Sequence, residues 1–143
     1  MRKSIIAILM TFCLSIMTYA QTPRDRATEL KEQAQSSLNQ KDYIKARYLF
    51  KKAYEAFATR ENYPQAIECG VQANALYVRE NFYKEGFELC RDMDQLIWAG
   101  EQNQKKVFYD LRFLVNKERL QMYTALKNPA QAKTQLNKLE ETA

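Results

Sequence analysis

Lys41-Asp42-Tyr43-Ile44-Lys45-Ala46, Glu61-Asn62-Tyr63-Pro64-Gln65-Ala66 and Asn81-Phe82-Tyr83-Lys84-Glu85-Gly86 are three copies of one phrase, set 20 residues apart. Each places a polar residue ahead of a Tyr and a small residue three positions beyond it. That interval suits one helix and one turn. A looser copy, Asn128-Pro129-Ala130-Gln131-Ala132, follows after a longer gap. The phrase reads as a helix start, written again each time the chain reverses.

The residues after each phrase carry the apolar period of a helix. Residues 43–60 hold Ala46, Leu49, Phe50, Ala53, Tyr54, Phe57 and Ala58, a stripe wide enough to touch neighbours on both sides. Residues 63–79 hold Ala66, Ile67, Gly70, Ala73, Leu76 and Tyr77. A helix over 82–99 holds Gly86, Phe87, Leu89, Cys90, Met93, Leu96 and Ile97, with Trp98 beside the stripe. Trp98 is expected as a lid on the core, with an exposed contact residue as the alternative.

Working outward, residues 24–38 form a thinner stripe of Ala27, Leu30, Ala34 and Leu38, entered through Thr22, Pro23 and Asp25. Downstream, Gly100 is read as a helix stop and Glu101 to Gln104 as the connection. A long helix over 105–126 follows, with Val107, Phe108, Leu111, Leu114, Val115, Met122 and Ala125 inward and Glu118 and Arg119 interrupting. A last helix over 129–141 offers Ala132, Leu136 and Leu139. Asp42, Asn62, Asn81 and Asn128 are the expected caps, with Gln65 completing a capping box. Nothing alternates with period two over a useful length, so no strand is expected.

The chain has 143 residues, 46% hydrophobic and 27% charged, with three Gly and three Pro, a profile of one helical domain. Residues 1–20 are read as an export signal: Arg2 and Lys3, an apolar run from Ile5 to Met17, then Thr18-Tyr19-Ala20 before Gln21. The run is short for a membrane span, and the bulky Phe12 before Cys13 argues against lipidation. Cleavage near Ala20 would give a periplasmic or otherwise extracytoplasmic domain over 21–143. That domain has 20 Lys and Arg against 17 Asp and Glu. So weak a balance, with both signs mixed along every helix, argues against nucleic acid as partner. Cys69 and Cys90 are expected as buried thiols, a bridge being the alternative.

Paired one-two, three-four and five-six, the helices resemble tetratricopeptide repeats. Unit one supplies the small pair Ala34 and Ala46, with Tyr43, Phe50 and Ala53 in pattern and Leu30 where Trp is usual. Unit two supplies Ala73, Tyr77, Tyr83 and Gly86, with Asn74 where the first small residue belongs. Unit three rests on Tyr123 and Ala132. The resemblance implies an all-α fold of antiparallel helix-turn-helix repeats, a short right-handed TPR-like superhelix of about six helices. It further implies binding of a protein or peptide on a groove lined by the first helix of each pair. Groove positions carried over are Thr28, Lys31, Gln35 and Asn39, then Glu68, Val71, Ala75 and Arg79, then Lys117 and Gln121. An exported chain of this kind looks like the front of the extracytoplasmic sensor of a bacterial membrane-spanning regulator in signal transduction, a free-standing periplasmic scaffold being the alternative. Its contact with the membrane would come only through the export signal or a later span.

The chain has no His, which removes Ser-His and Cys-His pairs and the usual zinc signatures. Its glycines are too scattered for a phosphate loop. Asp92 with Asp94 and Glu140 with Glu141 do not share helix faces and read as surface. The expectation is a binding module, with neither catalysis nor cofactor.

Overall fold

The computed structural model describes residues 25–142, which form six α-helices and no strand: α1 (Arg26–Asn39), α2 (Tyr43–Thr59), α3 (Tyr63–Arg79), α4 (Tyr83–Gln104), α5 (Tyr109–Ala125) and α6 (Pro129–Thr142). Tyr43, Tyr63 and Tyr83 each open a helix, as does Tyr109. The export signal, Thr22 and Pro23 lie outside the described residues.

The turns share one left-handed residue each. Lys41, Glu61, Asn81, Lys105 and Lys127 take positive φ, between 50° and 62°. The amides on either side of the first of these return to carbonyls of the closing helix: Lys41 N–H donates to Leu38 at 3.0 Å and Asp42 N–H to Ser37 at 2.9 Å. The same two bonds recur at Glu61-Asn62 and at Asn81-Phe82, so carbonyls orphaned at each helix end find donors. The left-handed position normally goes to Gly, because a Cβ there is strained. Replacing Lys41 or Glu61 by Gly is therefore expected to raise stability by about 0.5 to 1 kcal/mol each, read by urea denaturation. A drop in stability would mean that these side chains hold the turns by some other contact.

Starts of helices are closed from side chains. Asp42 Oδ1 accepts from Lys45 N–H at 3.2 Å, and Asn62 and Asn128 do the same for Gln65 and Gln131. Asp25 accepts from Ala27. Asn81 does not cap α4. It occupies the left-handed position itself, and its Oδ1 accepts from the Tyr83 hydroxyl at 2.9 Å. Gln65 makes no capping box either, because its side chain turns to α1.

Successive helices pack on one another in opposite directions. Asp25, at the entrance to α1, pairs with Arg60 at the exit of α2; Arg47, early in α2, pairs with Glu80 after α3 and lies over the Tyr77 and Phe82 rings. Phe87, early in α4, meets Tyr123, late in α5, with ring centroids 4.7 Å apart. One core runs along the stack, from Ala27 and Ala34 through Phe50, Phe57, Ile67, Cys69, Cys90 and Met93 to Val115 and Met122. The residues seven beyond Tyr43, Tyr63 and Tyr83, namely Phe50, Gly70 and Cys90, are all buried in it. Cys69 and Cys90 are both free thiols.

The largest departure from the sequence reading lies at Gly100. It does not end a helix; α4 continues to Gln104, the connection is 105–108, and α5 starts at Tyr109 instead of 105. A Cβ on Gly100 would stand 2.8 Å from a Phe108 ring carbon and 2.9 Å from Tyr63. This glycine is there for a close approach, with the two rings closing over it at 5.6 Å between centroids. Glu101, expected in a loop, is a buried helical residue that accepts from Phe108 N–H at 2.8 Å and pairs with Arg112. The Arg112 guanidinium beside it holds its carboxyl below the usual range.

Other inward assignments also change. Trp98 is 62% exposed and is no lid, while Val107 and Ala125 are exposed. Glu118 does not break the stripe but is buried within it. Asp94, assigned to open surface, pairs with Arg119, which also donates to the Cys90 carbonyl at 3.0 Å.

Candidate functional site

α1 and α3 both pack on α2, run in the same direction and are bridged by side chains. Lys31 and Glu68, each the sixth residue of its helix, form an ion pair at 2.8 Å. The same ammonium donates to Gln65 Oε1 at 2.8 Å. Gln65 and Glu68 are three apart and so share a face of α3, where one lysine reaches both. Each Lys31 partner stays partly in water, so the pair contributes less than about 1 kcal/mol to stability and opens at small cost. Such a pair is easily exchanged for the charges of a ligand.

Around it lie Thr28, Gln35 and Asn39 of α1 and Ala75 of α3, all exposed, with Val71 half-buried against the core. Gln35 Nε2 donates to Asn39 Oδ1 at 3.1 Å, one turn further along α1. Arg79 sits over the Tyr43 ring, 3.9 Å from its centroid, which holds the guanidinium at the end of α3 next to the start of α2. Of the ten positions carried over from the repeat resemblance, Lys31 and Glu68 are thus brought into contact and Gln35 joins Asn39. Lys117 and Gln121 are exposed on α5 and are not drawn into this polar chain. Gln65 was missed as a member. Its signal was the three-residue spacing to Glu68.

Burial pushes the Cys69 thiol up to about 11 and the Cys90 thiol up to about 12, so neither is a thiolate at neutral pH. No group of three or more His, Cys, Asp or Glu among the described residues is placed to hold a metal ion, and none of their helices is long and apolar enough to cross a membrane. No family model matches the chain, and no match is found among curated proteins or among solved structures.

Proposed function

We propose that this chain is a TPR-like module that binds a protein or peptide along the surface of α1 and α3, as the exported sensing or interaction part of a larger signalling regulator. The Lys31–Glu68–Gln65 junction carries this reading. It ties two parallel helices into one surface of small, polar and mixed-charge side chains while leaving its own charges half-solvated. A partner with alternating charge replaces such weak surface pairs with its own at little net loss. Solenoids use extended surfaces of this sort for capture.

The test is retention of peptides from a random library on the immobilised chain. Reversing Lys31 and Arg79 together to Glu is expected to weaken retention of the selected peptides by about tenfold or more, since two charge contacts are inverted. Helix content by circular dichroism should stay unchanged, because both side chains are partly or wholly exposed. Undiminished retention by the double variant counts against the groove.

A further inference from the structure

A second recessed surface lies among α4, α5 and α6 and shares no residue with the one above. It is a cleft of about 390 Å³ lined by Asp94, Ile97 and Trp98 of α4, Arg112, Asn116 and Arg119 of α5, and Lys138 and Glu141 of α6. Its size falls within the range of small-molecule sites. From this arrangement we infer that the cleft binds a neutral saccharide, stacked on Trp98 and hydrogen-bonded by the planar side chains opposite.

Charge argues for neutrality. Each arginine in the cleft already has a carboxylate: Arg112 holds Glu101, donating from Nε at 2.7 Å, and Arg119 holds Asp94. An incoming anion would meet the carboxylates of Asp94 and Glu141 as well as the arginines and Lys138. The lining as a whole carries both signs and offers no concentrated field for an anion. Hydrogen-bonding capacity is nevertheless dense and fixed in place. Arg119 is anchored on the Cys90 carbonyl at 3.0 Å and on Asn116 Oδ1 at 3.3 Å, and Asn116 is itself buried. Paired carboxylate, amide and guanidinium groups present donors and acceptors side by side, which matches vicinal hydroxyls, each of them both donor and acceptor.

Trp98 supplies the other half. It is the one Trp of the chain, and an indole left 62% exposed gives up most of the burial that usually fixes this residue. It stands one residue from Ile97, which is buried and lines the same cleft. A flat apolar surface beside polar groups of both signs suits a ring with one C–H face and a rim of hydroxyls. A purely apolar ligand would leave those polar groups unsatisfied, and a purely ionic one would leave the indole idle.

Because Trp98 is the only Trp, its fluorescence reports this cleft alone. The experiment titrates the folded chain with neutral disaccharides (cellobiose, maltose, lactose and chitobiose) and separately, read by calorimetry because the probe itself fluoresces, with indole-3-acetate. At least one sugar is expected to shift the emission saturably and to protect Trp98 from acrylamide. In Asp94→Ala the affinity should fall by about tenfold, as one hydrogen-bonding partner is lost. A Trp98→Phe variant, followed by calorimetry, should bind more weakly while keeping the helical signal. Failure of all four sugars overturns the proposal, as does saturable binding of indole-3-acetate without sugar. Equal affinity of Asp94→Ala and the parent chain overturns it too.

Discussion

Asn74→Ala is expected to lower stability by about 3 kcal/mol, well beyond what the loss of a small side chain explains, because it strands a buried carboxylate. Asn74 is completely buried on α3, and its Nδ2 donates to Glu118 Oε2 of α5 at 2.9 Å. It stands where the repeat pattern asks for a small residue. Its oxygen is also 3.0 Å from where a Cβ on Gly86 would lie, so the three helices α3, α4 and α5 meet at this amide. Burial raises the Glu118 carboxyl above its ordinary range; the Asn74 hydrogen bond and the nearby Lys117 pull it back down. Asn74 Oδ1, meanwhile, has no hydrogen-bond partner. Glu118→Gln therefore has the opposite sign: an amide there both accepts from Asn74 Nδ2 and donates to the empty Oδ1, for a gain of about 1 kcal/mol at neutral pH.

The pH dependence separates the charge from the packing. A carboxyl whose folded value is raised contributes fully while both states are protonated, and that contribution is lost as pH rises past the ordinary glutamate range towards the folded value. Glu101 works the other way, since its lowered carboxyl adds stability as pH rises through its own range. Urea midpoints of parent and Glu118→Gln from about pH 4 to about pH 8 should hence diverge with rising pH, the variant gaining. Parallel curves would mean that Glu118 ionises in the fold as freely as in the unfolded chain.

Legibility in the sequence follows the range of the interactions that decide each feature. The helix starts at Tyr43, Tyr63 and Tyr83 are local, fixed by Asp42 and Asn62 reaching three residues ahead and by left-handed residues at the same 20-residue interval. The apolar stripes of α2, α3 and α4 are local too, and nearly every residue assigned to them is buried or half-buried. Gly100 is different. A glycine near the end of an apolar stripe suits a helix stop or a close approach equally, and the choice rests on Tyr63 and Phe108, one of them on another helix. Glu118 has the same difficulty, because its place in the core depends on an amide 44 residues away. Lys31 and Glu68 pair because each is the sixth residue of its helix, a phase that the sequence displays, whereas the cleft at Trp98 draws on three helices without a shared register.

That shared register gives the other large effect. Phe50 and Leu136 each stand seven residues past the first residue of a second helix, α2 and α6. Phe50 is 1% exposed because α2 is packed by both α1 and α3; Leu136 is 48% exposed, and α6 packs chiefly against α5. Phe50→Ala removes a ring from a buried, close-packed core, which relaxes only in part to refill the space. The expected loss is about 4 kcal/mol, which leaves little of a typical small domain's stability. Leu136→Ala at the equivalent position should cost under about 1 kcal/mol, because water already reaches half of the side chain. Both values are read from urea denaturation of the same chain. A loss at Leu136 as large as that at Phe50 would show that the outer side of α6 is covered in solution, and the repeat would then have a further packed neighbour at that end. A small loss at Phe50 would be more damaging, since burial between two neighbours is what makes one short phrase, written again every twenty residues, into a single core.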